Sequence, residues 1–296
     1  MTKTIDTLVE DIYDVVSTKG GWDATITEFT VNGFADILRS RFEVEQGAGG
    51  DGLRMSRMGS PCRRKLWYEV NSPDEGQPLP ANTLLKFIAG DVWEQLLLSL
   101  AIAAGHDVRG MQDELEIAGI KGHRDAVIDG ITVDVKSASP FSFNKFRKGD
   151  IRSDDPFGYI TQLGAYVEAG HRADESVHPT RGAFLVVDKV TGDLHLHVED
   201  FQPEELDKTA FFERTKEMVA NPEPPERSFA PVPSGYKRGG VFHPDGNTKL
   251  GTNCSYCPFK RRCWPELRSF QYARSQVHFV EVTNEPRVQE IVYDED

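Results

Sequence analysis

Two aspartates and a lysine stand out because a turn between them fixes where they point. The stretch from Gly122 to Lys136 carries Asp129-Gly130 at its centre, and Asp-Gly between alternating apolar residues is a strong two-residue hairpin signal. With that turn, Ile128 faces Ile131, Val127 faces Thr132, Ala126 faces Val133 and Asp125 faces Asp134. Strand side chains alternate, so Lys136 shares the face of Asp134, whereas Ala126, Ile128, Ile131, Val133 and Val135 form an apolar opposite face. Directly opposed side chains have Cβ atoms about 5 Å apart, and like charges at that distance repel. A divalent cation between the two carboxylates, with an ammonium beside them, is the simplest way to offset the repulsion. The same register sets His123 opposite Lys136, where a lone histidine is read as incidental.

Three further groups carry possible chemistry. Glu94 sits in an otherwise apolar run beside Trp93, Leu97 and Leu98. Alone, such a residue reads as the exposed edge of a helix, but burying a carboxylate costs several kcal/mol unless it is paired or metal-bound. The sharper reading makes Glu94 a third acidic ligand, and carboxylate oxygens suit a hard cation such as Mg²⁺. Gln162 and Tyr166 lie four residues apart and share a helix face, in itself a weak signal. Cys254, Cys257 and Cys263 form a C-x₂-C-x₅-C trio, and the fourth cysteine, Cys62, lies far upstream. Outside an oxidising compartment such a set points to metal rather than disulfides. Four thiolates suit either tetrahedral zinc or a cubane iron–sulfur cluster, and spacing alone does not choose between them. Either would pin the later segment to the residues around Cys62.

The elements that must position these groups are legible in outline. Helical periodicity covers 3–17 and 32–42, and a third helix starts at Ser60-Pro61-Cys62 and runs to Val70. A long helix from Asn82 to Ala104 is apolar almost all round, which predicts burial. Strands are expected at 111–117, 122–128, 131–137, 182–188 and 194–198, with helices at 156–169 and 203–219 between and after them. This order predicts an α/β core with a mixed sheet. The Gly-rich stretch Gln46 to Gly52 marks the end of an N-terminal helical appendage (1–50) ahead of the main domain (51–270). A Pro/Gly-rich connector spans 228–251, and an acidic tail covers 271–296.

Composition limits the function classes. Charged residues make up 27% and hydrophobic residues 39% of the 296, with a net charge of −13. That total argues against indiscriminate binding of nucleic acid over the whole surface. It conceals basic stretches, such as Arg54 to Lys65, which holds five basic residues and no acidic one. No apolar run reaches membrane-spanning length. The N-terminal residues lack the pattern of a signal peptide, so a cytoplasmic setting and no membrane partner are expected.

Taken together, these positions resemble the PD-(D/E)XK nuclease superfamily, in its RecB-like branch with iron–sulfur CRISPR-associated, AddB-type and phage exonucleases. The likeness rests on Cys62 before the basic helix Arg63-Arg64-Lys65-Leu66-Trp67-Tyr68. It continues through Gly90-Asp-Val-Trp-Glu94, Asp125, Asp134-Val-Lys136, Gln162 with Tyr166, and Cys254, Cys257 and Cys263. It covers Cys62 to Cys263, and Glu94 stands where the branch often has histidine. The resemblance implies a restriction-endonuclease-like core with a cysteine-stapled C-terminal segment. It also implies a DNA partner and metal-dependent hydrolysis of phosphodiester bonds, with preference for DNA ends and single strands. Glu94, Asp125, Asp134 and the Val135 carbonyl would hold Mg²⁺ or Mn²⁺, and Lys136 would position water. Gln162 and Tyr166 would contact the strand, and the four cysteines would hold a [4Fe–4S] cluster, with zinc as the competitor. Trp67, Tyr68, Phe141, Phe143 and Phe146 are candidates for stacking on bases. The alternatives are a DNA-binding or recruitment protein without cleavage on the same fold, and a zinc-stapled hydrolase of RNA.

Overall fold

The computed structural model of the chain describes residues 3–18, 22–43, 52–273 and 275–292, so the expected connector at 46–52 falls almost wholly outside it. Helices α1 (Leu8–Ser17), α2 (Ala24–Phe42), α3 (Met55–Met58), α4 (Arg63–Asn71) and α5 (Ala81–Ala103) come first. Strands β1 (Val108–Arg109), β2 (Glu114–Ile117), β3 (Ile120–His123), β4 (Ala126–Ile128) and β5 (Ile131–Ala138) precede α6 (Pro140–Lys148) and α7 (Tyr159–Ala173). Then follow β6 (Arg181–Asp188), β7 (Leu194–Asp200), α8 (Pro203–Leu206) and α9 (Thr209–Ala220). The last elements are β8 (Val232–Arg238), β9 (Val241–Lys249), α10 (Thr252–Ser255), α11 (Lys260–Cys263), β10 (Arg268–Gln271) and β11 (Gln276–Glu281). The chain forms two compact units, Met1–Ser60 with Pro80–Glu217, and Pro61–Leu79 with Met218–Asp296. The division therefore falls elsewhere than at residues 50 and 270.

The first unit is α/β with a mixed central sheet flanked by helices. Strand order is β1-β4-β5-β6-β7. Only β5 and β6 run parallel, because a crossover containing α6 and α7 separates them. One sheet face packs Ala126, Ile128, Ile131, Val133 and Val135 against Leu97, Leu98, Leu100 and Ala101 of α5 and against Leu8 and Ile12 of α1. Burying each large aliphatic side chain contributes about 2 kcal/mol. The N-terminal helix is thus part of this core rather than an appendage. The other face packs Phe184 and Val186 against Phe143, Phe146, Leu163 and Val167 of α6 and α7.

Two expectations change here. Helix α5 is buried only towards its C-terminal end, while Leu84, Leu85 and Phe87 are exposed. The apolar sheet face covers only the last turns, and the earlier turns run along α2, which has just Thr30 buried. The run expected as one strand over 122–128 is broken at Arg124. Before it, β3 pairs with β2 through a turn at Ala118 (φ +53°) and Gly119 (φ +78°), setting His123 opposite Glu114. After it, β4 joins the central sheet. His123 therefore does not face Lys136. The buried Arg124 guanidinium makes the break, donating to Asp113 Oδ2 at 2.7 Å and to the Gly110 carbonyl.

In the second unit, residues 61–79 join the C-terminal part of the chain. Trp67 Nε1 donates to the Asn221 carbonyl at 2.7 Å, and Tyr68 stacks on Phe259 at 5.4 Å. A four-stranded antiparallel sheet, ordered β10-β11-β9-β8, makes up much of the rest. The residues expected to be a connector at 228–251 form the β8–β9 hairpin, and part of the expected acidic tail forms β11, flanked by two strands. Pro233 and Gly235 sit at a register shift in β8, the kind of irregularity that admits such residues into a strand.

Candidate active site

The Asp129-Gly130 turn forms with φ of +50° and +80°, values that a turn of this hand requires at both central positions. The Asp129 carboxylate is pinned by the Asp107 N–H at 3.1 Å, and its Oδ2 lies 2.7 Å from His106 Nδ1. The register follows the sequence reading: Ile128 opposes Ile131, Val127 opposes Thr132 and Ala126 opposes Val133. Asp125 comes one residue before the paired segment, and its Oδ2 accepts from the Val135 N–H at 2.7 Å. Val135, expected to offer a carbonyl oxygen, thus holds Asp125 through its N–H, with its side chain in the apolar core.

Asp134 is 2% exposed. Its Oδ1 accepts from Gln162 Nε2 at 3.3 Å, and its Oδ2 lies 2.5 Å from the Lys136 ammonium without a well-aligned donor. Lys136 Nζ rests 4.7 Å from the centroid of the Tyr159 ring, a favourable place for a cation. Helix α7 presents Tyr159, Gln162 and Tyr166. It starts where Asp155 accepts from the Gly158 and Ile160 N–H groups at 2.8 and 2.9 Å. Gly158 has φ +77° and abuts Gly59 so closely that a Cβ would stand 1.8 Å from the Gly59 carbonyl oxygen. Glu94 projects from α5, and its Oε1 accepts from Gln112 Nε2 at 2.7 Å.

These groups feel one another. Burial, then Asp134 and Glu94, raise Asp125 well above the usual carboxylate range. Burial raises Glu94 too, with Asp134 and Asp91 adding to it against the Gln112 hydrogen bond. Burial disfavours the Lys136 charge, but Asp134 and Asp125 more than compensate and hold the ammonium above its ordinary value. In the metal-free protein these two acids thus hold Lys136 as a cation. Tyr166 is raised as well, by burial foremost and then by Asp134 and Asp125. At 2% exposed, Tyr166 is a core residue one helical turn beyond Gln162. Its burial places it in the core rather than on the open surface expected for contact with a strand, whereas Gln162 on the same helix reaches Asp134.

Three carboxylates beside one lysine leave more acid than base in a half-buried place, with the Lys136 ammonium the one cation against Asp134 Oδ2. That donor chemistry fits a hard divalent cation. As they stand, no three His, Cys, Asp or Glu side chains among the described residues form a ready metal cage. The fit therefore rests on charge and donor type.

The second unit brings the four cysteines together. Cys62, Cys254, Cys257 and Cys263 line one pocket with Arg64, Lys65, Lys260 and Trp264. Cys62 caps α4, its Sγ accepting from the Lys65 N–H at 3.4 Å. Burial, followed by the three other thiols, raises Cys254 to about 11. Burial likewise raises Cys257 to about 11, against the pull of the Phe259 N–H and Lys65. Soft sulfur donors close enough to disturb one another, with cations nearby, suit a thiolate-bound metal or cluster.

Two residues escaped the sequence reading. Tyr159 precedes Gln162 by three and so shares its helix face, a signal that was available. Gln112 adopts φ +56°, a conformation uncommon outside glycine. Besides holding Glu94, its N–H donates to the Asp125 carbonyl at 3.3 Å, so one strained residue ties two of the three acids. The stacking candidates fare differently. Trp67, Tyr68, Phe143 and Phe146 are core residues, and only Phe141, 72% exposed, faces solvent.

No family model matches the sequence, and no curated protein matches it. A solved structure described as "Crystal structure of SSO0001" is similar at 16% identity and a TM-score of 0.41, covering 81% of this chain and 96% of that one. A likeness of that degree bears on neither the fold nor the function of the present chain. No helix among the described residues is long and apolar enough to cross a membrane.

Proposed function

We propose that the chain is a metal-dependent deoxyribonuclease of the PD-(D/E)XK type, acting on DNA ends and single strands as an exonuclease. The observation that carries this reading is the gathering of Asp125, Asp134 and Glu94 about the half-buried Lys136, with Asp134 2.5 Å from its ammonium and Asp125 bonded to the intervening Val135 N–H. The order β4-β5-crossover-β6 supports a restriction-endonuclease-like arrangement, with the acidic site on the helix α7 side of the sheet. The thiol pocket supports a [4Fe–4S] cluster, or zinc, as a staple of the second unit.

A divalent cation held by Glu94, Asp125 and Asp134 would polarise the scissile phosphate and lower the pKa of a water. Lys136, beside Asp134, would donate to that water or to a phosphate oxygen as negative charge develops there. Tyr159 supports the ammonium from below and limits its swing. Gln162 bridges helix α7 to Asp134 and keeps the carboxylate turned into the site. Gln112 holds Glu94 against the repulsion of Asp134.

The test is digestion of linear single- and double-stranded DNA, with RNA alongside, in Mg²⁺, in Mn²⁺ and in chelator. Metal-dependent release of nucleotides from DNA supports the proposal. Binding without cleavage on all substrates would instead favour a recruitment module, and preference for RNA would reassign the substrate.

A further inference from the structure

The aromatic surface expected near the basic helices is mostly core, yet a bare aromatic and basic surface exists elsewhere. From Tyr236 to Gly246 every residue of the β8–β9 hairpin is exposed, on both strands and therefore on both faces. Tyr236 is 59%, Val241 61% and Phe242 44% exposed. Side chains so apolar are not normally left in water on two faces of a two-stranded ribbon, which is marginally stable alone. The turn Gly239-Gly240, with φ of +58° and +81°, closes the tip tightly.

The root of this finger is firmly held. Ser234 Oγ donates to Asp245 Oδ2 at 2.8 Å. Asn247 Oδ1 accepts from the Thr283 and Asn284 N–H groups, and Asn247 Nδ2 donates to the Asn284 carbonyl. Asp245, the one acid between Val232 and Lys249, is thereby engaged at the root. Beyond it, Lys237 and Arg238 make no ion pair with a described residue. In a chain of net charge −13, two adjacent unpaired cations on a projecting hairpin are a local reversal of sign.

The register pairs the chemistry. Tyr236 lies across from His243, their rings stacked at 5.3 Å with 20° between planes. Arg238 shares that face, whereas Lys237 and Phe242 oppose each other on the other face. Each face thus offers an open ring next to a cation. Bases stack on such rings whatever their sequence, while the cations meet phosphates.

We propose that the β8–β9 hairpin is a nucleic-acid-binding finger for a single strand, with Lys237 and Arg238 on the phosphates and Tyr236 and Phe242 against bases. The DNA identity of the strand rests on the proposed nuclease function, but binding by the finger does not require cleavage. The test is affinity of the full chain for a labelled single-stranded oligonucleotide in chelator, across a salt series. Lys237→Glu with Arg238→Glu should weaken binding tenfold or more and reduce the slope of log affinity against log salt by about 1.4, two phosphates' worth for a single strand. Tyr236→Ala with Phe242→Ala should weaken binding about tenfold or more. Melting temperature should stay put in both, because the side chains are exposed. Affinity and slope unchanged in both pairs, or no measurable binding by the wild type, would overturn the assignment. So would a wild-type dimer that the charge reversal dissociates while DNA affinity is unaffected, because the finger would then bind a second copy. A protein that cuts DNA with an indifferent hairpin refutes the finger alone, and one that binds through the hairpin but never cuts refutes the nuclease reading alone.

Discussion

The acidic site of the first unit and the thiol pocket of the second are built on opposite principles. Asp134 and Lys136 stand on the central strand β5, paired there with β6, Glu94 on a 23-residue helix and Gln162 on a 15-residue one. Their placement follows from a large apolar core that needs no ligand. Cys62 stands on a cap, Cys254 and Cys263 on two four-residue helices, and Cys257 in the loop between them. Beside them the buried apolar cluster consists of Trp67, Tyr68 and Phe259. Rigid elements hold like charges in a costly arrangement in one unit, whereas in the other the donors would gain their order from what they bind. The first is the pattern of a reactive site and the second that of a structural staple.

That contrast breaks first at the chemistry. Lys136→Ala or Asp134→Ala should reduce cleavage of linear DNA by about 10³-fold or more while the circular dichroism of the chain is kept. Cys254→Ser should do the reverse in kind. It should empty the bound metal or cluster, measured as iron, sulfide or zinc per chain, and destabilise the second unit by several kcal/mol, as loss of a structural metal does. Cleavage should then fall only as far as the folded fraction falls. A cysteine variant that is fully stable yet inactive would put the thiols in the reaction.

The acids give a prediction with a definite sign. A carboxyl raised by folding binds its proton more tightly in the folded state, so its favourable contribution is present below the ordinary carboxylate range and lost as pH rises through the raised value. Asp125→Asn should therefore stabilise the metal-free protein at pH 8, raising its melting temperature. The gain should shrink as pH falls towards 4, as followed by thermal melting. A smaller effect is expected at Gln112. Gln112→Gly removes the φ +56° strain and should leave stability equal or raised by about 1 kcal/mol, yet slow cleavage about tenfold by freeing Glu94. If activity is unchanged, Gln112 is not a positioning residue.

What could be read from the sequence depended on how local the determinant was. The register of β4 and β5 was legible because Asp129-Gly130 fixes it within four residues, and with it the apolar face that became the core. Gln162 was legible only through a shared motif, and the burial of Tyr166 beside it was not. Gln112 was beyond reach, because its backbone is set by the loop from Gly110 and its side chain by a helix residue eighteen positions earlier. The β8–β9 hairpin was hidden by its own punctuation. Pro233, Gly235, Pro244 and Gly246 read as a connector, although they sit at the register shift and the root of a paired ribbon. The exposure of the first half of α5 was equally illegible, since apolar composition says nothing about how far the sheet beneath it extends.

The most direct test of the central claim is a time course of wild-type protein on end-labelled linear DNA, with Mg²⁺ or Mn²⁺ and with chelator, beside Lys136→Ala. The account predicts progressive release of label by the wild type only when a divalent cation is present, and none by the variant. Cleavage that persists in chelator, or that Lys136→Ala carries out at the wild-type rate, would contradict it.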